Sequence, residues 1–244
     1  MQIYYKGIKL HYEVVGEGSP ILFLHGWGGR MESFAPIYQE LKKTHKCILI
    51  DFIGFGDSGI ANVVFTLDDY VDSVKLLLRH IKIESCDLIA HSFGGRVALK
   101  LMATEKDLIT RAILVAPAGI RPKRDYKYHF KVWKYKAKKK LFKVGIISEK
   151  SLHKDGSRDY RELTPLMKGT FVNIVNDDLT DISNEVSSDV LLIYGEGDES
   201  VPRSMVEELK NNIKGSEYIT LGGGHFCYLV EAGAFCKIAQ SFFS

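Results

Sequence analysis

Apolar runs of strand length alternate with amphipathic segments along most of the chain. The runs lie at 20–26, 45–52, 86–92, 110–118, 188–198 and 217–225. Several are apolar at successive positions, which is typical of parallel strands buried on both faces. Segments with an apolar stripe at helical spacing lie at 31–43, 67–81, 93–105, 202–213 and 230–243. This alternation predicts an α/β fold, with a mostly parallel sheet flanked by helices on both faces.

The alternation stops between about residues 119 and 182. In this stretch Tyr126, Phe130 and Trp133 begin an apolar row that continues at helical spacing to residue 144. We therefore expect 119–182 to be an inserted, mainly helical cap above the carboxyl ends of the strands. The remaining residues, 1–118 and 183–244, would form the core, and the three aromatic side chains would line a substrate pocket under the cap.

The amino-acid composition is typical of a globular protein. The chain has 244 residues, of which 45% are hydrophobic and 26% charged. No apolar run approaches the roughly 18 residues that span a membrane, and the start of the chain lacks the apolar centre of a signal peptide. The four cysteines have no metal-binding or redox spacing. We expect reduced thiols and a cytoplasmic protein.

The charge is distributed unevenly. Residues 121–143 contain eleven lysines or arginines and one acid, Asp125, a balance of +10, so the rest of the chain is −7 in a protein of net charge +3. The basic segment has three interpretations: a solvated helix face, a docking surface for an acidic carrier protein, or a nucleic-acid site. Its aromatic residues also satisfy helix packing, and no nucleic-acid motif is present, so we expect no nucleic-acid partner.

A candidate nucleophile lies in the segment Ala90-His91-Ser92-Phe93-Gly94, which joins a predicted strand to a predicted helix. Small residues two positions before and after the serine permit a very tight turn. Such a turn holds the hydroxyl at the edge of the sheet, above a helix N-terminus. Ser92 is therefore the predicted nucleophile.

A nucleophilic serine needs a base, and the base needs an acid that orients it. His225 follows the last predicted strand in a glycine-rich loop, and Asp198 follows the strand before it. The chain order serine, aspartate, histidine is the order that this architecture imposes. Glu196 and Glu199 are the rival acids, and Asp198 is preferred.

An oxyanion formed on the substrate needs hydrogen-bond donors. We expect the backbone N–H groups of Phe93 and of Trp27, which lies in the loop "HGWGG", to supply them, and both residues to contact substrate. His25 is interpreted as a structural residue that holds this loop. The glycine-rich loop 51–59 lacks the lysine and the spacing of phosphate-binding loops, so it too is interpreted as structural.

In order and spacing, "HGWGG", "DFIGFGDSG", "AHSFGG", "GEGDESVP" and "GGGHF" resemble the α/β-hydrolase superfamily in its small, lidded, serine-nucleophile branch. The resemblance covers 1–118 and 183–244. It implies an eight-stranded sheet, acyl-enzyme chemistry by Ser92, His225 and Asp198, and neither a cofactor nor a metal. Dehalogenases and epoxide hydrolases of this fold have aspartate at the position of Ser92, so those activities are disfavoured.

The expected function is that of a carboxylesterase for a small to medium acyl ester. "HGWG" and the pattern D-x-x-V-P-R at 198–203 also resemble esterases that act on acyl groups held by an acidic carrier protein. Hydrolysis of a carrier-linked ester or thioester is therefore one alternative. Cleavage of a carbon–carbon bond and a receptor function with slow turnover are others, since the same triad occurs in each.

Overall fold

Eight strands form one sheet in the part of the chain that the computed structural model describes, namely residues 1–120, Trp133 and 163–244. The strands are β1 Gln2–Tyr5, β2 Ile8–Val15, β3 Ser19–Leu24, β4 His45–Asp51, β5 Cys86–His91, β6 Ile109–Val115, β7 Asp189–Gly195 and β8 Glu217–Leu221. Their order is β1-β2-β4-β3-β5-β6-β7-β8. β2 is antiparallel to both neighbours and the other pairs are parallel. The predicted mostly parallel, eight-stranded sheet is confirmed.

Helices connect the parallel strands. Numbered within the described residues, they are α1 Ala35–Leu41, α2 Leu67–His80, α3 Phe93–Thr104, α4 Pro165–Asn176, α5 Arg203–Asn212, α6 Cys227–Val230 and α7 Ala232–Phe242. Short 3₁₀ helices lie at Met31–Phe34 and Ile182–Glu185. Within the described ranges, no helix combines the length and the apolar character needed to cross a membrane.

The sheet has a hydrophobic core on each face. In β3, Leu22 and Leu24 belong to the core beneath α2 and α3, whereas Ile21 and Phe23 belong to the core beneath α1 and α7. The same alternation recurs along β4 to β7. Because successive side chains of a strand point to opposite faces, a strand covered on both sides must be apolar throughout. The uninterrupted apolar runs of the sequence have this cause.

The predicted helix α3 is present, but it is buried more completely than its amphipathic pattern suggests. Ten of its twelve residues are buried. One side packs on the sheet, and the segment from α4 to the 3₁₀ helix Ile182–Glu185 covers another. A helix covered on most sides has little need of a polar stripe.

The predicted last helix, 230–243, is interrupted at its start. Glu231 has φ −113° and ψ 46°, which separates α6 from α7. Its carboxylate accepts a hydrogen bond from the backbone N–H of Gly222, at 2.6 Å, and so holds the glycine-rich loop after β8. The break between α6 and α7 thus falls at the residue whose side chain holds this loop.

The predicted cap, 119–182, lies only partly within the described residues. Tyr126, Phe130 and the basic segment, Trp133 apart, lie outside them. Trp133 is helical and its side chain is 64% exposed. In α4, Met167 and Ile174 are buried in the same core as α2 and α3. The division of the chain into core and cap stays a prediction.

The four cysteines are free and buried. Burial raises the pKa of Cys47 and of Cys86 to about 12, so both remain protonated thiols at neutral pH. This state agrees with the expectation of reduced thiols.

Arg111 in β6 joins the sheet to the end of α7. Its guanidinium pairs with Asp87 of β5 through Nε and Nη2, at 3.1 and 2.8 Å. It also donates to the carbonyls of Phe242 and Phe243, at 3.1 and 2.9 Å. The Asp87 side chain is only 4% exposed, so loss of its partner would leave a buried charge poorly compensated.

We expect Arg111→Met to lower the free energy of unfolding by about 2–4 kcal/mol, because it leaves Asp87 buried without its cation and frees the end of α7. Urea unfolding monitored by circular dichroism measures the change. The control is Lys106→Met, whose exposed ion pair with Glu185 spans 3.4 Å and should contribute no more than about 0.5 kcal/mol. Equal stabilities for the two variants would show that Arg111 has no such role.

Candidate active site

Ser92 occupies a strained turn between β5 and α3. Its backbone has φ 51° and ψ −108°, a conformation that residues other than glycine rarely adopt. Its N–H donates to the carbonyl of Val115, at 3.0 Å. Its own carbonyl accepts from the N–H groups of Gly95 and Ala118, at 2.9 and 3.2 Å. These bonds to β6, to the loop after it and to the first turn of α3 hold the serine in this conformation.

The small residues after Ser92 have a steric cause. A Cβ atom on Gly94 would overlap the backbone carbonyl oxygen of Leu24 at the end of β3. One on Gly95 would lie 2.9 Å from the Cα atom of Pro117. The start of α3 therefore lies against β3 and the loop after β6 at distances that only glycine permits. This is the close packing that the sequence pattern predicts.

His225 lies between Ser92 and Asp198. Its Nε2 is 2.9 Å from Ser92 Oγ, and its Nδ1 is 2.8 Å from Asp198 Oδ2. Asp198 is buried, whereas the rival acids Glu196 and Glu199 are exposed. The structure thus brings together the three residues that the sequence proposes, and Asp198 is the carboxylate that contacts His225.

The hydrogen bonds define the protonation states of the Ser92, His225 and Asp198 side chains. A carboxylate can only accept, so His225 Nδ1 carries the proton and Nε2 accepts from the Ser92 hydroxyl. Asp198 Oδ1 accepts from the N–H groups of Ser200 and Val201, at 2.7 and 3.0 Å. Burial alone would raise the pKa of Asp198, but the bonds from His225 and these two amides outweigh it and lower the pKa. Asp198 is therefore ionised at neutral pH.

A cavity of about 670 Å³ opens above Ser92 and His225. Most of its wall is apolar, and the apolar residues include Trp27, Phe93, Ala118, Phe171, Ile174, Val175, Val201, Met205 and Phe226. A largely apolar cavity with a few convergent polar groups is typical of a small-molecule site. Trp27 and Phe93, both predicted to contact substrate, lie in this wall. Trp133 is not among the described lining residues, and its predicted contact with substrate stays a prediction.

Trp27 and Phe93, whose amides are the predicted oxyanion donors, both line the cavity with Ser92. Phe93 is the first residue of α3, where a backbone N–H has no partner within the helix. Trp27 packs edge-on against Phe93, with ring centroids 5.3 Å apart. The Trp27 and Phe93 residues thus lie side by side in the cavity wall next to Ser92. Their function as oxyanion donors stays a prediction.

His25 holds the loop that carries Trp27. Its Nε2 accepts from the N–H of Phe52, at 3.0 Å, and its Nδ1 donates to the carbonyl of Gly26, at 2.8 Å. The ring is fully buried, and burial lowers the pKa of His25 to about 4. A neutral histidine with both nitrogens engaged agrees with the structural interpretation made from the sequence.

Asp51 anchors the other end of the same loop. Its carboxylate accepts from the N–H groups of Met31 and Asp57, both at 2.8 Å, and lies 3.2 Å from His11 Nδ1. Asp51, His11 and Asp57 are the described residues that lie close enough to suggest a metal site, within 4.8 Å of one another. The backbone N–H groups of Met31 and Asp57 thus donate one hydrogen bond to each carboxylate oxygen of Asp51. The proximity of the three residues is explained by the hydrogen bonds that hold the loop. None of the three lines the cavity.

Sequence reasoning missed several residues of the site. His91 and Phe226 line the cavity beside the triad, and their adjacency to Ser92 and His225 was the signal available. Phe171 and Arg96 also line the cavity, but no motif in the sequence marks them as site residues. Arg96 Nη1 donates to the carbonyls of Ile174 and Asp177, at 3.0 and 2.8 Å. It thereby fixes the end of α4, the helix that contributes Phe171 to the wall.

A family model described as alpha/beta hydrolase fold matches residues 19–145, just over half of the chain. The AB hydrolase superfamily protein YisY of Bacillus subtilis (strain 168) is 26% identical over 92% of this chain and 91% of its own length. The 2-hydroxymuconate semialdehyde hydrolase of Pseudomonas sp. (strain CF600) is 32% identical over 47% of this chain and 42% of its own. The enol-lactonase of Burkholderia xenovorans LB400 superimposes with a TM-score of 0.79 at 20% identity, covering 100% of this chain and 99% of its own.

We expect Gly94→Ala to lower the free energy of unfolding by about 2 kcal/mol or more, because the new methyl group overlaps the Leu24 carbonyl. Gly233→Ala is the matched control. Gly233 is likewise the second residue of its helix, and nothing lies within 4 Å of the position of its Cβ. That variant should be as stable as wild type or gain up to about 1 kcal/mol. Thermal unfolding of both proteins measures the difference, and equal effects would refute the steric argument.

Proposed function

The chain belongs to the α/β-hydrolase fold family, and we propose that it is a serine hydrolase that cleaves carboxylic esters through an acyl-enzyme intermediate. One observation carries the proposal: His225 bonds Ser92 Oγ through Nε2 and Asp198 through Nδ1, at the floor of a largely apolar cavity. Nucleophile, base and orienting acid are thus linked in the order that acyl transfer requires.

In the first half of the proposed reaction, His225 takes the hydroxyl proton as Ser92 Oγ attacks the acyl carbonyl. The amides of Trp27 and Phe93 donate to the oxyanion that develops. Asp198 keeps Nδ1 protonated and stabilises the imidazolium that forms. His225 then gives its proton to the departing alcohol, which leaves the acyl group on Ser92.

In the second half, His225 takes a proton from water, which attacks the acyl-enzyme. The same amides stabilise the second oxyanion. Collapse of this intermediate breaks the bond to Ser92 Oγ, and His225 returns the proton to the serine. The acid is released and the starting hydrogen bonds are restored. The proton transfers between Ser92 and His225 use groups that already lie within hydrogen-bond distance.

The cavity supports a substrate of small to medium size. Its volume of about 670 Å³ lies within the range of roughly 300–1,000 Å³ found for small-molecule sites. Aromatic rings from the loops after β3 and β8, from α3 and from α4 lie in the wall, which suits an aliphatic or aromatic acyl group. We therefore propose a carboxylesterase activity on such esters.

We expect p-nitrophenyl esters with acyl chains of two to twelve carbons to be hydrolysed with many turnovers per protein. Ser92→Ala should reduce kcat by a factor of about 10⁴ or more, and Asp198→Asn by about 10³–10⁴, because the latter favours the wrong tautomer of His225. The controls are Ser241→Ala and Asp189→Asn, which alter exposed residues outside the cavity and should leave kcat unchanged.

The ester series also separates the alternatives. Full activity in Ser92→Ala would exclude the proposed mechanism. A single-turnover burst in wild type would favour a slow receptor of the same fold. If no ester is hydrolysed but a thioester or a carbon–carbon bond next to a ketone is cleaved, the proposed triad mechanism would stand and the proposed substrate class would be wrong. The 2-hydroxymuconate semialdehyde hydrolase among the relatives gives a reason to include the last class.

The basic segment 121–143 supports a second proposal, an acidic carrier protein as the partner that presents the acyl group. We expect the triple variant Lys138→Glu, Lys139→Glu and Lys140→Glu to lower kcat/KM for a carrier-linked ester by about 10-fold or more at low salt, and to leave free esters unaffected. A triple change to glutamine is the milder control. Equal loss on both kinds of substrate, or no loss on either, would contradict docking through this segment.

A further inference from the structure

His91 lies beside the triad, although the reaction does not use it. It is the last residue of β5, directly before Ser92, and its ring is almost fully buried in the cavity wall. Its Nε2 is 2.9 Å from the backbone carbonyl oxygen of His225. A carbonyl only accepts, so Nε2 carries the proton and donates. The strand that carries the nucleophile is thus bonded to the peptide of the base.

The ring of His91 contacts both loops that face Ser92. It packs on the His225 ring with centroids 4.7 Å apart, and on the rings of Phe226 and Tyr228, at 5.1 and 5.0 Å. On the oxyanion side, a Cβ atom on Gly26 would lie 2.8 Å from Nδ1. One imidazole therefore fills the space between the loop of Trp27 and the loop of His225.

The His225 loop needs such a contact. Residues 222–224 before it are all glycine, so the backbone that presents the base has unusual conformational freedom. Glu231 holds the N–H of Gly222, and Gly197 donates to the carbonyl of Gly223, at 2.7 Å. Both bonds lie upstream of the base. The bond from His91 is made at the carbonyl of His225 itself.

The ring also stays uncharged throughout the reaction. Burial lowers the pKa of His91 to about 3, with a further contribution from the neighbouring His225. A neutral ring donates one hydrogen bond and does not repel the imidazolium that His225 becomes. A cation at this position would oppose proton transfer from Ser92.

We propose that His91 is a positioning residue, whose Nε2–H fixes the backbone of His225 so that the imidazole meets Ser92 Oγ. The inference rests on the proposed function, because it assumes that Ser92 is the nucleophile. It assigns to the side chain before the serine a function that ring packing alone would not provide, namely a directed hydrogen bond to the loop of the base.

The test compares His91→Phe, which keeps a ring and removes the donor, with His91→Gln, whose side-chain amide can donate from a similar position. An alkyl fluorophosphonate is the probe. Ser92 Oγ forms a bond to phosphorus, fluoride leaves, and His225 takes the hydroxyl proton, so the labelling rate reports activation of the serine without any need for the natural substrate. His80→Gln, on the exposed end of α2, is the control.

We expect His91→Phe to label about 10-fold or more slowly than wild type, and His91→Gln within about 3-fold, because an unpaired buried carbonyl is costly and the amide restores its donor. With an ester that wild type hydrolyses, kcat should fall while KM stays within about 2-fold. Thermal unfolding must show both variants folded. If His91→Phe does not fold, His91→Leu replaces it.

Equal labelling of His91→Phe and wild type would overturn the inference, as would equal slowing of the phenylalanine and glutamine variants, since the donor would then be irrelevant. In both cases the proposed serine mechanism would stand. A wild-type protein that the probe does not label at Ser92 would overturn the serine mechanism and the inference with it. The two failures are therefore distinguishable.

Discussion

The backbone turn at Ser92 is the constraint on which the site depends. A residue with a side chain held at φ 51° and ψ −108° costs on the order of 1–3 kcal/mol, so the surroundings must enforce the conformation. Hydrogen bonds to Val115, Gly95 and Ala118 do so, and α3 lies against the carbonyl of Leu24, where only glycine fits. The turn is therefore maintained by the ends of β3 and β6, the strands on either side of β5. A hydroxyl placed in this way is fixed before any substrate arrives.

The parallel sheet brings the remaining groups to the same edge. The loops after β3, β5, β7 and β8 carry Trp27, Ser92, Asp198 and His225, and parallel strands present their carboxyl ends side by side. His225 lies 27 residues from Asp198 and 133 from Ser92 in the sequence, yet it bonds both, at 2.8 and 2.9 Å. The rigidity of the sheet and its two cores is what allows such distant residues to keep hydrogen-bond distances.

Much of the fold and of the site could be predicted, because both restrict which residue types can occupy particular positions. Strands covered on both faces must be apolar throughout, and a tight turn requires Ala90 and Gly94 around Ser92. Asp198 could be preferred to its glutamate neighbours only weakly, since the distinction depends on which carboxylate the loop buries. The burial of α3 was not predicted, because the segment that covers it lies about 70 residues further along the chain. His91 and Arg96 were missed for a different reason. The hydrogen bonds described above join both residues to backbone carbonyls, which every residue possesses, so the residue type of the partner does not reveal these bonds.

The histidines around Ser92 show how burial divides their functions. His25 and His91 are buried, and each donates one ring N–H to a backbone carbonyl. Burial holds the pKa of His25 at about 4 and that of His91 at about 3, so both stay neutral when a proton becomes available. The side chain of His225 is 18% exposed and has an ionised acid at Nδ1. In the proposed mechanism, a proton leaving Ser92 therefore has one favourable acceptor among the three rings. The two neutral histidines donate hydrogen bonds to the loops without competing for the charge, so in the proposed mechanism only His225 acts as a base.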